Sequence, residues 1–439
     1  MRPLFCQRRH PNIISAVRLR FKLLAKLFKY KNMAKDRIAN LSIRISILGG
    51  KFLAVILLAK MMTVSDFGLY NIILAYVAFA VLLYGFDFYA HSHRYYVRRV
   101  DHRKATISHA VFSIIMIFLF SPFAYMFLRS DGISISLSIL VVILFAVEYT
   151  SQELYRYLLI ENRQIDASLG LLLRTTLWVP PLILYGYLNK YIFIFDAILF
   201  WLSGSFISII YYFRKLQIRP NILNLKVDHE VYMWIFEGVK KSTKFLLGTL
   251  ALRLVFTIDR KAAQQYSDIE AVAIYGFSIS FAMVIFTIVD ATVLSYSYPR
   301  ILREKPNFRK YKELLRNITY ISLISFFVVF ILINSSIIFF DLNEKYLNPL
   351  AYFCASIATF FYAMSMAPHY YLYSSGKDKS LVITHLLIAL LSVFILFGIF
   401  KTGEPWVISL KMAVIMFFLF CIKHILLLIA TNKRVAAIN

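Results

Sequence analysis

Two stretches carry cations where the surrounding sequence is apolar enough for lipid. "LSIRISILGGKFLAVILLA" (41–59) holds Arg44 and Lys51, and "LALRLVFTIDRKAA" (250–263) holds Arg253 and Arg260. Each pair is seven residues apart, so at 3.6 residues per turn its members share one helix face about 10 Å apart. A cation in mid-helix costs about 2.5 to 3.5 kcal/mol on insertion scales. Lys51 and Arg253 fall nearest the middle of their segments, where snorkelling helps least, and a hydrated position that meets an anion is the chemistry that fits. Arginine would grip such an anion with a planar fork, and lysine would act as a point charge. Arg174 and Lys411 are further bases in apolar runs, and the acids there are Glu148, Glu153, Asp196, Asp259 and Asp290, with Asp87 near a helix end. For each of them a buried ion pair or an interfacial position is the competing explanation. Glu153 and Arg156 can pair along one helix. Glu148 has no cation at helical spacing, which makes it the acid best suited to protonation coupling.

These side chains must be positioned by membrane helices. The chain has 439 residues, of which 60% are hydrophobic and 17% aromatic, with a mean hydropathy of +0.68, against roughly 45–50% apolar in a soluble domain. About twelve apolar segments approach the roughly 20 residues that a bilayer core requires: 39–62, 67–88, 106–128, 133–157, 168–187, 191–213, 242–263, 270–295, 317–340, 347–373, 379–400 and 405–428. Runs such as "HLLIALLSVFILFGIF" are apolar on every side, which excludes the alternating ten-residue strands of a barrel. The expected fold is all-α: a polytopic membrane protein with two parallel six-helix bundles around a central cavity. Its expected parts are a basic N-terminal segment (1–38), a first bundle (39–215), a linker (216–241), a second bundle (242–428) and a tail (429–439).

The formal charge of +26 would suggest nucleic acid in a soluble protein, but the cations are concentrated in every second connection. These are residues 1–38, "HRYYVRRVDHRKA" (93–105), "FRKLQIRP" (213–220), "PRILREKPNFRKYKELLR" (299–316) and "TNKRVAAIN". The positive-inside rule then puts both termini and the basic loops in the cytoplasm, facing anionic headgroups rather than nucleic acid. Residues 13–31 have the composition of a basic amphipathic helix on the inner leaflet, and a mitochondrial presequence is the outside reading of the same segment. No cleavable signal is visible. Cys6, Cys354 and Cys421 are too dispersed for a disulfide framework. The nine histidines show no metal-ligand spacing, and the "HSH" of 91–93, with His102, reads as headgroup-facing. Neither a cofactor nor a resident metal is expected, and the lack of a Walker motif argues against ATP hydrolysis.

An internal echo links the halves. "LLAKMMTVSDFGLYNIILAY" (57–76) and "IDRKAAQQYSDIEAVAIYGFSIS" (258–280) each end a helix with a cation, cross a turn containing Ser-Asp and resume at a tyrosine. Six helices per half would relate the two as parallel repeats. Asp87 and Asp290 form a weaker echo, each near the end of the second helix of its half.

The first of these segments resembles the polysaccharide-biosynthesis flippases of the MOP superfamily, whose first loop commonly reads small-polar-Glu/Asp-Phe-Gly-Leu-Tyr. "TIDRKAAQQYSDIEAVAIYGFS" is similar to the Asp-basic motif of that family's seventh helix and the turn after it, with Ala273 where glycine is usual. "SYPRILRE" resembles the proline-basic end of the eighth helix. The resemblance covers the chain by helix order, and residues 40–104 and 245–303 by motif.

It implies an exporter of undecaprenyl-pyrophosphate-linked oligosaccharide in a bacterial inner membrane, working by alternating access. The diphosphate would meet Lys51, Arg253, Arg174 and Arg44; H+ or Na+ coupling would use Glu148, Asp87, Asp259 or Asp290. Membrane lipids and other polysaccharide-assembly proteins are the expected partners. The alternatives are a multidrug or cation antiporter of the same superfamily, a glycan polymerase or ligase, for which the outer loops are short, and a channel or scaffold. The lipid II flippase branch has about fourteen helices, which this chain is expected to be too short to match.

Overall fold

The computed structural model describes residues 39–436 apart from 41, 90, 94–101, 162, 217–228, 295–296, 298–300, 302–307 and 341. The basic segment 1–38 with its expected amphipathic helix, most of the basic loop 93–105 and part of the linker therefore lie outside the described residues. Among the described residues there are helices and no strands. In chain order they are α1 (Ser42–Met61), α2 (Val64–Gly85), α3 (His102–Ser130), α4 (Ile135–Ile160), α5 (Gln164–Thr175), α6 (Val179–Asn189), α7 (Ile194–Leu216), α8 (His229–Tyr266), α9 (Ile269–Val289), α10 (Phe308–Phe340), α11 (Pro349–Ser374), α12 (Asp378–Val393) and α13 (Pro405–Ala436).

Local chemistry sets many of the boundaries. The Thr63 hydroxyl accepts from the Asp66 N–H at 3.0 Å to start α2, and the Asp268 carboxylate accepts from the Ala271 N–H at 2.7 Å to start α9. The expected helix 168–187 is instead two pieces, α5 and α6. Pro180 and Pro181 open α6; lacking N–H donors, they cannot continue the ladder from α5. A π-turn, Phe394–Gly398, closes α12. Lys411 Nζ donates to the Leu396 and Phe400 carbonyls at 3.2 and 2.8 Å, so this buried cation serves as a cap for backbone left unpaired at a helix end.

Eleven segments among the described residues are long and apolar enough to cross a membrane. The seventh expected span lies in α8, whose 38 residues make a rod of about 57 Å that also absorbs residues 229–241 of the expected linker. Its charges, Arg253, Asp259, Arg260 and Lys261 among them, set it apart from the eleven more apolar segments.

Within the first half of the chain, α4 and α5 pack on α7 and α2 on α4; within the second half, α11 packs on α13, α8 on α12 and α9 on α11. The halves meet through α2 against α8 and α9 and through Phe52 of α1 edge-on to Phe281 of α9, centroids 4.5 Å apart. In α2 and α9, 61% of the apolar window is buried, against 17% in α3, so α2 and α9 are central and α3 presents residues such as Phe118 and Phe123 outward.

The two segments that echo each other in the sequence lie face to face. A Cβ on Gly68 would come 2.1 Å from the Ile269 carbonyl oxygen, and one on Gly276 would overlap Asn71. Only glycine allows this approach. At the same end Lys261 of α8 pairs with Asp131 of the loop after α3, and Tyr76 donates to the other Asp131 oxygen at 2.7 Å. The end opposite the basic loops is therefore fastened.

Candidate functional site

The first half gathers Lys51, Glu148 and Arg174. Glu148 projects from α4 and is 4% exposed. Arg174, in the last turn of α5, brings Nε to 3.2 Å from Glu148 Oε2, and its NH1 donates to Gln152 at 2.8 Å. From α7, Trp201 donates to Glu148 Oε1 at 2.9 Å and Ser205 donates to the same oxygen. Glu148 thus has a cation after all, supplied by a neighbouring helix that helical spacing could not reveal. Lys51 is solvent-accessible, yet Arg174 and Glu148 are close enough to act on it electrostatically. Because Arg174 occupies the carboxylate, Lys51 is the cation left over.

The second half repeats this arrangement with different residues. Asp259 is fully buried, paired with Arg260 at 3.2 Å and bonded by the Tyr275 hydroxyl at 2.6 Å. Arg260 is thereby spent, and Arg253 has no ion pair among the described residues; its electrostatic neighbours are Tyr362 and Arg260. Lys51 and Arg253 therefore belong to separate clusters, one in each half. Arg44 of α1 acts on Asp290, which starts the π-turn Asp290–Leu294 after α9. Tyr362 feels both Arg253 and Asp290. Glu153 and Arg156 are paired as their spacing suggested, and Asp196 accepts from Tyr185 at 3.2 Å.

Asp87 stands apart from these clusters. It follows α2, where Phe86 and Asp87 both adopt left-handed backbone, φ 50° and 49°, a costly conformation for residues other than glycine. It borders a cavity of ≈ 260 Å³ between the halves, at the end that carries the basic loops, with Tyr89, Thr249, His369, Asp378 and His385 also in its wall. Burial raises the Asp87 carboxyl above the usual carboxylate range, against the lowering influences of Thr249 and Arg156. None of Lys51, Arg253, Arg174 and Arg44 lines this cavity. A cationic central chamber was expected; the ionisable groups with acidic or imidazole side chains in the wall of this cavity are instead Asp87, Asp378, His369 and His385.

Sequence reasoning missed Lys423, which is fully buried in α13 with no hydrogen-bond partner for Nζ among the described residues and which acts on His369 and His385. A lysine inside "FLFCIKHILLLI" was the available signal. The reading of His91 and His93 as headgroup-facing is overturned. His91 is 6% exposed and packs on Trp234 with centroids 4.6 Å apart, because α8 begins early enough to cover the end of α2.

No protein-family model and no curated protein matches the sequence. Solved structures do match in shape. A lipid II flippase, MurJ, in an inward closed conformation aligns with a TM-score of 0.67 at 15% identity, covering 90% of this chain and 87% of that one. The chain has the fold of the MOP-superfamily transporters. An inward-facing multidrug-resistance MATE transporter of that superfamily aligns at 0.61 and 14% identity, covering 90% and 99%. The apparent shortness of the chain beside the lipid II branch is therefore no obstacle to sharing its fold.

Proposed function

We propose that this chain is a flippase that moves an undecaprenyl-pyrophosphate-linked oligosaccharide across a bacterial inner membrane, with both termini on the cytoplasmic side. One observation carries the reading: the Lys51–Glu148–Arg174 cluster and the Arg253–Asp259–Arg260 cluster each hold two cations and one acid, and in each the acid is paired with one cation, leaving Lys51 and Arg253 as the cations without an ion pair in their clusters. Two such charges on opposite halves suit a diphosphate that is handed between bundles as they rock. Arg174 and Arg44 hold the surrounding charge balance. The lipid tail would remain in the bilayer, beside the exposed apolar faces.

Coupling falls to Asp87, because Glu148 and Asp259 are occupied by arginines and Asp290 faces Arg44, whereas Asp87 borders a cavity and holds its proton more tightly than an ordinary carboxyl. Partner proteins of glycan assembly would deliver and collect the substrate. A cation antiporter is the second reading, favoured by the acidic wall around Asp87 and Asp378.

The test is export of surface glycan in cells carrying Lys51→Ala, Arg253→Ala or both, with membrane abundance held equal. Each single variant should lower export at least about tenfold, the effect of roughly 1.4 kcal/mol of lost anion affinity. Normal export by the double variant, together with cationic-dye efflux that depends on Asp87, would establish the antiporter reading instead.

A further inference from the structure

Where α2 gives way to the basic loop, three side chains from three segments converge. His93 follows α2, His109 lies in α3 and Glu153 in α4, and their ligand atoms all lie within 4.8 Å of one another. His109 Nε2 is 3.4 Å from Glu153 Oε2. His93 Nε2, His109 Nε2 and Glu153 Oε2 are each buried without a hydrogen-bond partner among the described residues. Three such atoms facing one point are an expensive arrangement unless something occupies it.

The groups around them hold these atoms in a ligating state. His109 Nδ1 meets the Ser92 hydroxyl at 3.0 Å and the Tyr157 hydroxyl at 2.9 Å, so the hydrogen on that nitrogen has acceptors and Nε2 can keep its lone pair. Arg156 binds the other oxygen of Glu153, Oε1, and lies over the Tyr89 ring at 3.9 Å, which orients the carboxylate and leaves Oε2 free. Asp87, close enough to act on Arg156, offsets the local positive charge.

We propose that His93, His109 and Glu153 bind a divalent transition-metal ion of the zinc class, with a fourth position open to water. A tetrahedral zinc with bonds of about 2.0–2.1 Å separates its ligand atoms by about 3.3 Å, close to the 3.4 Å between His109 and Glu153. His93 is half-buried and gives the ion an entry path. The ion would staple the end of α2 to α3 and α4, next to the cavity that Asp87 borders. The inference does not depend on the transported substrate.

The full chain, purified in detergent with an affinity tag free of histidine and stripped with a chelator, should take up one Zn2+ per chain. Its Co2+ form should show the visible absorption of a tetrahedral site. His93→Ala and His109→Ala should weaken Zn2+ at least a hundredfold, and Ser92→Ala about tenfold through the lost orientation of His109. Should a variant fail to fold, the wild-type chain still decides the matter, since Zn2+ must raise its melting temperature. Sub-stoichiometric uptake, equal affinity in wild type and His93→Ala, or a melting temperature indifferent to Zn2+ would overturn the proposal and leave a cluster that holds only water or a proton.

Discussion

The pairing of Glu148 with Arg174 gives the sharpest prediction. Arg174→Met leaves a carboxylate inside the first half without its cation. Removing one member of a buried ion pair costs about 3–5 kcal/mol. Trp201 and Ser205 continue to donate to Glu148, and Lys51 is near, which places the loss at the lower end, about 3 kcal/mol. Glu148→Gln strands Arg174 instead; Gln152 still accepts from it and 13% of its side chain is exposed, so about 2 kcal/mol is expected. The double variant removes both charges and should be no worse than about 2 kcal/mol, an interaction energy of about 3 kcal/mol in the cycle. Denaturant unfolding in detergent of all four proteins reads this directly. Strictly additive losses would show that the two charges do not depend on each other, and the argument that Lys51 is the uncompensated cation would fall with the pair. Arg174→Met should also lower glycan export, because the orphaned carboxylate would claim Lys51, and the double variant should restore part of it.

Asp87 predicts a pH effect of known sign. Its folded-state carboxyl is raised above the ordinary 3.8, so the folded protein binds that proton more tightly than the unfolded chain. The resulting stability is fully present below the unfolded value and is lost as pH rises through the folded one. Asp87→Asn should flatten unfolding free energy against pH across that window, and an unchanged slope would contradict the burial argument. Gly68→Leu should force α2 from α9, since even a Cβ meets the Ile269 carbonyl, and should increase labelling of cysteines placed at the fastened end by a membrane-impermeant thiol reagent. Lys261→Ala, which releases Asp131, should do the same to a smaller degree; protection equal to wild type in both would show that this end is held by other contacts.

Length and apolarity alone determined most of the helix order, because a segment that crosses lipid must satisfy its backbone internally and so declares itself in sequence. The turn segments around Asp66 and Asp268 were legible for the same reason: capping is local, and the residues that cap are neighbours in the chain. The break between α5 and α6 is also written in the sequence, since Pro180 and Pro181 interrupt the apolar run with residues that lack N–H donors. Tertiary structure alone decided which charges are free. Arg174 reaches Glu148 across two helices, Lys411 answers carbonyls freed by a π-turn, and His93, His109 and Glu153 meet from three segments. Such pairings depend on the rotation and depth of one helix against another. A one-dimensional pattern records which face of a helix is polar, but not which other helix that face will meet.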